Sequence, residues 1–219
     1  VSYVSNTSST IDKVALTVQA DVSDRIYDGS THATLNGLTV TGLIGLETVV
    51  PVSAGTTSFA DKNAADGKTV TITNVALLDG TNGGLAGNYS VNATATTTAS
   101  ILQKDLTVAG VVALDKIYDG TTVAAINTSV ASLTGKIDGD DVSIGTIVGA
   151  FDDKNVGSNK NVNGSAFELS GADGGNYNLI QPTGLKANIT PRSLAVAATG
   201  VNKTYDSTTV ATVNLSDNR

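Results

Sequence analysis

The sequence predicts a mostly-β protein, organised as a tandem array of small β-rich modules. Three observations lead to this prediction: a repeat with a long period, short segments in which apolar and polar residues alternate, and a strong preference for Asp over Glu. Only Glu47 and Glu168 among the 20 acidic residues are Glu. Because Asp favours turns and Glu favours helices, this preference indicates strands joined by tight turns.

The repeat is visible in four short motifs that recur in the same order. The first motif contains Tyr-Asp, and its copies IYDGST, IYDGTT and TYDSTT begin at Ile26, Ile117 and Thr204. The others are Phe-x-Asp-Lys-Asn from Phe59 and Phe151, Gly-Asn-Tyr from Gly87 and Gly175, and an Ile with a Leu five residues later, at Ile11, Ile101 and Ile189. The period of about 90 residues is too long for the coil of a solenoid and is typical of a small domain.

The motifs place one module at residues 11–100 and a second at residues 101–188. We expect residues 1–10 to be the tail of a preceding module, and residues 189–219 to be the truncated start of a third. The segments that join successive modules are only a few residues long, and Pro191 stiffens the second of them. Stiff contacts between modules, and an elongated array, are therefore expected.

Strand and turn signals lie inside the modules. Val70–Thr73 and Val91–Thr96 alternate apolar and polar residues, as half-buried strands do. Asp28-Gly29 and Asp119-Gly120 predict tight hairpin turns in which both central residues have positive φ. Ser207 replaces the glycine in the third copy, where we expect a different turn or a strained one. These signals favour antiparallel sandwich-like modules, with a β-grasp-like arrangement as the alternative because spacing does not reveal strand order.

The composition argues against several classes of function. Cys and Met are both absent, so the chain has no disulfide, no thiolate metal site and no cysteine nucleophile. The net charge is −7 and the 13 basic residues are scattered, which argues against a nucleic-acid-binding face. No apolar stretch reaches the roughly 18 residues that span a bilayer, so we expect no membrane insertion in this segment.

No group of residues resembles an active site, and we predict no catalytic, cofactor-binding or metal-binding residue. His32 is the only histidine. The matching positions after the other repeated tyrosines hold Val123 and Val210, which favours a strand position over a catalytic base. The chain also lacks the G-x-S-x-G nucleophile elbow of serine hydrolases. An enzymatic function is therefore not expected.

The densest acidic cluster consists of Asp138, Asp140 and Asp141 around Gly139. Alternate carboxylates on a loop can ligate Ca²⁺ through oxygen atoms. The terminal bidentate Glu and the full spacing of a calcium loop are missing, however. The pattern therefore favours a solvated turn, and no metal is assigned to it.

The Phe-x-Asp-Lys-Asn and Gly-Asn-Tyr motifs each have a structural interpretation and an alternative. The first motif predicts a turn whose Asp and Asn side chains bond nearby backbone amides, while Phe59 or Phe151 enters the core. Its alternative is a Lys–Asn amide crosslink, for which the Lys would need a distant partner and a buried acid. Tyr89 and Tyr177 should each begin a strand, with the ring inside and the hydroxyl bonded to backbone at a corner. Stacking on a sugar is the alternative for these tyrosines.

The ordered motifs, together with Gly-Asp-Asp-Val at Gly139–Val142 and a Lys-x-Val strand, resemble the YDG-type repeat of large filamentous-haemagglutinin-like adhesins of bacteria. The resemblance covers both complete modules and the start of the third, and it supplies no catalytic or ligand-binding residues. The first module departs from it, because Gly45–Thr48 reads Gly-Leu-Glu-Thr where the second has Gly139–Val142. That departure puts in doubt any role that needs those acidic residues in every copy.

The resemblance implies a structural spacer in the stalk of an adhesin on the surface of a Gram-negative bacterium, or secreted from it, in support of adhesion or biofilm formation. The implied location is extracellular. The implied partners are neighbouring modules of the same chain, with a host or bacterial glycan or protein bound through other regions. Two alternatives stay open: a glycan- or protein-binding module, and a self-assembling component of an extracellular matrix or filament.

Overall fold

Strands account for about half of the chain in a computed structural model that describes residues 10–145, 147–164 and 167–219. Within those ranges there is no α-helix, and the helical segments are two short 3-10 helices, Ala86–Asn88 and Gly174–Asn176. No helix in the described ranges is long and apolar enough to cross a membrane. The predicted mostly-β architecture is confirmed. Residues 1–9 of the predicted preceding tail lie outside the described residues.

The strands fall into three groups along the chain. Those of the first repeat are β1 (Val14–Ala15), β2 (Thr17–Val22), β3 (Arg25–Ile26), β4 (Leu35–Thr41), β5 (Val49–Ser53), β6 (Thr57–Phe59), β7 (Ala65–Thr73), β8 (Val75–Asp79), β9 (Tyr89–Ser90) and β10 (Thr94–Leu102). Those of the second are β11 (Lys104–Ala109), β12 (Val112–Ala113), β13 (Lys116–Ile117), β14 (Val123–Asn127), β15 (Ser132–Thr134), β16 (Ser143–Ile144), β17 (Val148–Phe151), β18 (Gly157–Gly164), β19 (Leu169–Ser170), β20 (Tyr177–Ile180) and β21 (Lys186–Thr190). The last two are β22 (Val196–Val201) and β23 (Thr212–Asp217).

The predicted alternation is present in the long central strands. Val70 and Ile72 of β7 are fully buried, and the threonines between and after them are not. In β10, which pairs antiparallel with β7, Ala95 is buried while its neighbours Thr94 and Thr96 are exposed. A period of two therefore turns one face of this sheet to the core, as expected for strands buried on one side.

The sheets are mixed rather than purely antiparallel. The neighbours β10, β7 and β6 are antiparallel, but four short pairs are parallel: β1 with β9, β3 with β10, β11 with β20 and β13 with β21. In two of these pairs, β1 with β9 and β11 with β20, a strand early in a repeat lies beside a strand late in the same repeat. In the other two, the early strand lies beside residues just past the repeat boundary, Ile101–Leu102 and Ile189–Thr190. The chain must cross the repeat before it returns to the same sheet edge in the same direction. The start of each repeat is thus paired with its end or with the first residues after it.

Each repeat divides into two halves. We call the half with the Tyr-Asp and Phe-x-Asp-Lys-Asn motifs the YDG half, and the half with the Gly-Asn-Tyr motif the GNY half. The GNY half of the first repeat has a small core of its own, formed by Leu16, Val49 and Tyr89. The matching residues of the second repeat, Leu106, Val142 and Tyr177, belong instead to a larger cluster that includes residues of the first repeat's YDG half: Tyr27, Phe59, Val70 and Ile72. The largest core is therefore shared by two repeats.

The chain accordingly forms two compact units that do not follow the sequence repeat. The first unit holds the described residues up to Thr107, together with Leu133–Gly145 and Glu168–Ile180. The second unit holds Val108–Ser132, the described residues between Thr146 and Phe167, and Gln181–Arg219. The GNY half of the second repeat therefore belongs to the same compact unit as the whole first repeat. The sequence period and the compact unit are two different divisions of this chain.

Candidate functional site: a polar joint between two repeats

The Asp part of the predicted Phe-x-Asp-Lys-Asn turn is confirmed, whereas the Asn63 side chain bonds to the Asn176 side chain rather than to a nearby backbone amide. The Asp side chain accepts a hydrogen bond from the backbone N–H of the Asn two residues later, at 2.8 Å for Asp61 and 2.7 Å for Asp153. Phe59 and Phe151 are each only 3% exposed. The same Asp also pairs with a Lys seven residues later, in the pairs Asp61–Lys68 and Asp153–Lys160. In each turn, one carboxylate thus binds both the backbone N–H that follows it and a later Lys. The Lys inside the motif takes no part in the turn and is available to residues outside it.

The Tyr-Asp-Gly turns differ from the predicted hairpins, because only the third residue has positive φ. Gly29 has φ of 80° and Gly120 has φ of 81°, whereas the preceding Asp does not enter that region. The Asp side chain holds the turn, since it accepts from the backbone N–H two residues later at 2.8 Å in the first copy and 2.9 Å in the second. The turn is therefore set by a side-chain bond and one left-handed residue.

Ser207 adopts the same turn as the glycines it replaces. Its φ is 63°, a region in which a residue with a Cβ is strained, and Asp206 accepts from Thr208 N–H at 3.0 Å as in the other copies. Of the two outcomes expected for this position, the strained turn is the observed one.

A basic residue three positions before each of these Asp residues was missed in the sequence reasoning. It forms an ion pair with that Asp in all three copies: Arg25 with Asp28, Lys116 with Asp119, and Lys203 with Asp206. Arg25 and Lys116 also lie over the rings of Phe59 and Phe151, at 5.4 and 5.6 Å from the ring centroids. The signal that could have revealed this role is the recurrence of a basic residue at the same offset in each copy.

The Gly-Asn-Tyr tyrosines lie where the sequence predicts. Tyr89 and Tyr177 are each 3% exposed and each begins a strand. Their hydroxyl oxygens accept from backbone N–H groups at a corner, from Ile44 at 3.2 Å and from Ile137 at 2.9 Å. This prediction is confirmed, and the burial of both rings leaves no face open for stacking on a sugar.

The same two hydroxyls also donate to a carboxylate, which the sequence reasoning did not anticipate. Tyr89 donates to Glu47 at 2.6 Å, and Tyr177 donates to Asp140 at 2.5 Å. Glu47 thus occupies the place of Asp140, so the alignment that set Gly45–Thr48 against Gly139–Val142 is shifted by one residue. The acidic residue is present in both copies after all, and the departure noted in the first module is a change from Asp to Glu.

Asp140 also binds two residues of the preceding repeat. It accepts from the Tyr27 hydroxyl at 2.9 Å and from Lys62 Nζ at 3.0 Å, and Lys62 Nζ lies 2.8 Å from Asp173 as well. The rings of Tyr27 and Tyr177 meet edge to face, with centroids 5.4 Å apart. We call these five residues, Tyr27, Lys62, Asp140, Asp173 and Tyr177, the joint cluster. The joint cluster connects the Tyr-Asp and Phe-x-Asp-Lys-Asn motifs of one repeat with two parts of the next repeat. These parts are the Gly-Asn-Tyr motif and the acidic loop, by which we mean the loop of residues 137–141.

A second set of hydrogen bonds surrounds the joint cluster. Asn176 is 3% exposed; its Oδ1 accepts from Ala64 N–H at 2.8 Å, and its Nδ2 donates to Asn63 Oδ1 at 3.3 Å. Gln103, in the short segment between the repeats, donates to the carbonyl of Gly175 at 2.9 Å. The Asn of the predicted turn is therefore used across the repeat boundary and not only within its own turn.

The electrostatics of the joint cluster are those of a satisfied ionic network. Burial by itself would raise the pKa of Asp140, but hydrogen bonds from Tyr177, Lys62 and Tyr27 outweigh it and the pKa is lowered. Burial and the bond to Asp140 raise the pKa of Tyr177 to about 12 and also raise the pKa of Tyr27. Hydrogen bonds to Asp173 and Asp140 hold the pKa of Lys62 well above its usual range. At neutral pH the cluster therefore holds one ammonium, two carboxylates and two neutral phenols.

This environment favours an ion pair at Lys62 over the amide crosslink considered above. A buried acid and a distant partner are both present, as such a crosslink requires. An amine must lose its proton before it can attack a carbonyl carbon, however, and the two carboxylates hold Lys62 as an ammonium. The side-chain amides of Asn63 and Asn176 are engaged with each other, and that of Asn176 also accepts from the backbone N–H of Ala64.

The acidic cluster around Gly139 does not converge on a common point. Asp140 is 7% exposed and bonded to phenols and Lys62, whereas Asp141 accepts from Ala172 N–H at 3.1 Å. The solvated turn predicted here is thus wrong for Asp140, because its side chain is needed inside the joint. Among the described residues, no group of three or more His, Cys, Asp or Glu side chains is placed to hold a metal ion. His32 is exposed, and its backbone forms an isolated antiparallel β-bridge with Ser58, in keeping with the predicted strand position.

Comparison with known proteins identifies the repeat. A family model described as the YDG domain matches the chain twice, at residues 12–99 and at residues 102–184. Each match contains one copy of the Tyr-Asp, Phe-x-Asp-Lys-Asn and Gly-Asn-Tyr motifs. No curated protein and no solved structure matches the chain significantly. The residues of the joint cluster are therefore supplied by motifs of two successive matched segments.

Proposed function

The chain belongs to the YDG domain family, and on that premise we propose that it is a structural spacer in the stalk of a bacterial adhesin, exposed on the cell surface or secreted. In this proposal the chain supports adhesion or biofilm formation by holding other regions of a longer protein away from the cell. Its partners are the neighbouring repeats, and contacts with a host or bacterial glycan or protein belong to those other regions.

The observation that supports this proposal most strongly is the joint between the repeats. A spacer must transmit force along the chain without separating its repeats. Here Leu106, just after the boundary, is fully buried in the core that the first repeat supplies, and Asp140 is bonded to Tyr27 and Lys62. To separate the repeats, a pulling force must expose this apolar surface and strip a buried carboxylate of its partners, both of which cost free energy.

The polar groups of the joint cluster also argue for a mechanical rather than a catalytic role. Each charged or phenolic side chain in the cluster is engaged with another member of it. Catalytic groups are instead held with reactive atoms directed at a substrate, often with a pKa shifted toward the working pH. The pKa of Asp140 and the pKa of Lys62 are both shifted away from neutrality, which keeps each group in its charged form.

The length of the protein tests the spacer proposal. Chains with one, two and three tandem copies of residues 11–188 should give a maximum dimension, from small-angle X-ray scattering, that rises in proportion to copy number. The matched control carries Asp140→Asn and Lys62→Met in every copy, which should loosen the joint and broaden the distribution of distances. A maximum dimension that hardly changes with copy number would contradict the proposal.

A replacement experiment separates a spacer from a binding module. In the adhesin that contains this segment, deletion of the segment should lower adhesion of the bacteria. Replacing it with an unrelated stiff domain array of equal length should restore adhesion if length is what matters. Restoration by the original sequence alone would show that the segment binds the target itself. Labelling of intact cells by an antibody against this segment checks the proposed location, and labelling that requires permeabilised cells would refute it.

A further inference from the structure

The second compact unit presents counterparts of two residues that form the joint in the first. Tyr118 matches Tyr27, and Leu194 matches Leu106 in its place after the module boundary. Tyr27 is 1% exposed and Leu106 is 0% exposed. Tyr118 is only half-buried, and Leu194 is 57% exposed. The two side chains that are covered in the first joint are thus open in the second compact unit.

The backbone around Tyr118 is already in the conformation that the joint uses. Tyr118 N–H donates to Thr190 O at 2.9 Å, as Tyr27 N–H donates to Leu102 O at 2.9 Å. Both bonds lie at the end of a parallel pair, β13 with β21 in one case and β3 with β10 in the other. The tyrosine is therefore held in place by its own repeat, which lowers the conformational entropy that a docking segment must overcome.

An open cleft lies beside Tyr118 at the position of the acidic loop in the joint. The cleft has a volume of about 370 Å³, and its lining includes Tyr118, Gly120 and Leu194. In the joint, Gly29 matches Gly120 and lies against Ile137 of the acidic loop, since a Cβ added at Gly29 would lie 3.1 Å from Ile137 Cγ2. A Cβ added at Gly120 would meet nothing within 4 Å.

The second repeat also supplies a lysine with the sign of charge that an acidic loop requires. Lys154 matches Lys62 in the Phe-x-Asp-Lys-Asn motif. Lys62 is paired with Asp140 and Asp173, whereas Lys154 is exposed and has no ion pair among the described residues. A carboxylate placed between the Tyr118 hydroxyl and Lys154 Nζ would satisfy both groups as Asp140 does in the joint.

We propose that the Tyr118–Leu194 cleft is a docking surface for the GNY half of a further YDG repeat that continues from Ile189. In the docked state, the acidic residue of that repeat accepts from Tyr118 and Lys154, and its Gly-Asn-Tyr ring packs against Tyr118. The apolar residue of that repeat that corresponds to Ile137 covers Gly120 and Leu194. The start of such a repeat is already present, since β22 pairs antiparallel with β23 as β2 does with β4 in the first repeat.

The chemistry of the cleft favours a repeat over a small anion as the occupant. A small anion could pair with Lys154 but would leave the apolar side chain of Leu194 in water. A GNY half supplies a carboxylate and an apolar surface at once, and the first joint is an observed case of that fit. The proposal extends the spacer function to a second junction, and its failure would leave the first joint and the spacer function intact.

The test lengthens the chain so that a GNY half is available. A copy of residues 133–188 is added after Arg219, and hydroxyl-radical footprinting measures the labelling of Leu194 in the original and extended chains. We expect labelling of Leu194 in the extended chain to fall to the low level of Leu106, which serves as the internal standard. A matched extended chain with Gly120→Val, which obstructs the cleft, should label Leu194 strongly while Leu106 stays protected.

Each outcome decides the question. Strong labelling of Leu194 in the extended chain, with Leu106 protected and the added segment shown to be folded by its amide exchange, would overturn the proposal. Protection that persists in the Gly120→Val chain would also overturn it, because the cover would then lie elsewhere. Protection of Leu194 in the original chain that grows with protein concentration would assign the surface to a second copy. Labelling of Leu106 would instead contradict the first joint and the spacer proposal.

Discussion

Replacement of Asp140 by Asn is the most direct test of the joint between the repeats. The side chain of Asp140 is 4% exposed, and its carboxylate accepts three hydrogen bonds, from the Tyr27 and Tyr177 hydroxyls and from Lys62 Nζ. An Asn of the same shape keeps one acceptor oxygen but brings an N–H₂ group and removes the charge. Hydrogen bonds to a charged group contribute about 1.5–3 kcal/mol each, and a buried group left unsatisfied costs a further 1–3 kcal/mol or so. We expect Asp140→Asn to lower the free energy of unfolding of the first compact unit by about 2–3 kcal/mol.

A double-mutant cycle with Tyr27→Phe isolates the contact across the repeat boundary. Tyr27→Phe removes one hydroxyl and leaves the ring in the core, so its cost should be about 1–2 kcal/mol. If the two side chains act through their 2.9 Å bond, the double variant should be less destabilised than the sum of the single ones, with a coupling energy of about 1 kcal/mol.

Urea unfolding and amide exchange measure this cycle. Amide exchange at Ala64 reports the joint directly, because its N–H donates to Asn176 of the other repeat. Asp153→Asn is the matched control, since this Asp pairs with Lys160 in an exposed turn and its loss should change stability little. A coupling energy within about 0.3 kcal/mol of zero would refute the direct link between Tyr27 and Asp140.

Three further predictions follow from the same joint. Leu106→Ala should lower the free energy of unfolding by about 2–5 kcal/mol in urea titrations, because the side chain is fully buried, whereas Leu194→Ala at the matching exposed position should change it by less than about 0.5 kcal/mol. Gly29→Ala should lower the melting temperature more than Gly120→Ala does, because both residues have positive φ but only at Gly29 does the added Cβ approach Ile137. The pKa of Asp140 and the pKa of Asp173 are lowered in the folded state, so the stability they contribute is present above about pH 4 and should be lost in unfolding titrations as the pH falls through those lowered values.

Specific results would contradict each of these. Equal effects of Leu106→Ala and Leu194→Ala would mean that the core does not extend across the repeat boundary. Equal effects of the two glycine changes would mean that Ile137 does not lie against Gly29 in solution. Acid sensitivity that is unchanged in an Asp140→Asn, Asp173→Asn variant would assign the loss of stability to other carboxylates.

Alkaline titration gives an independent check on the same cluster. The pKa of Tyr177 is raised to about 12, above the value of about 10 for an unfolded tyrosine, so its contribution should be complete below pH 10 or so and lost as the pH rises toward 12. Absorbance of tyrosinate follows this titration directly. The Tyr177→Phe variant is the control, and its late step should be smaller by one tyrosine, since the pKa of Tyr27 is raised as well.

Local features of this protein could be predicted well from the sequence. The alternation of Val70 and Ile72 with threonines depends only on the two-residue period of a strand. The Asp61 turn depends on a side chain that reaches a backbone N–H two residues away. The burial of Tyr89 and Tyr177 could be predicted because the chain has few aromatic residues, and their large rings are needed in the core. Each of these rests on interactions between neighbours in the sequence, or on burial that any compact arrangement would give.

The hydrogen-bond partners of the polar motif residues could not be predicted from the sequence in this way. The acidic loop was interpreted as a solvated turn because nothing nearby in the sequence pairs with Asp140. Its partner Tyr27 is 113 residues away and belongs to another repeat. The same limitation produced the alignment that hid the equivalence of Glu47 and Asp140, because only the shared bond to a tyrosine hydroxyl shows which carboxylate matches which.

The sequence by itself determined the repeat, its period, its strands and the Asp-bonded turns of the Phe-x-Asp-Lys-Asn motif, because these follow from residue order and from short-range sterics and hydrogen bonds. Only the tertiary structure decided where one compact unit ends and the next begins. That boundary depends on which apolar surfaces meet, and Leu106, Val142 and Tyr177 meet the YDG half of the preceding repeat. A periodic sequence presents the same surfaces in every copy, so its period cannot indicate whether a half-repeat packs within its own copy or against the neighbouring one.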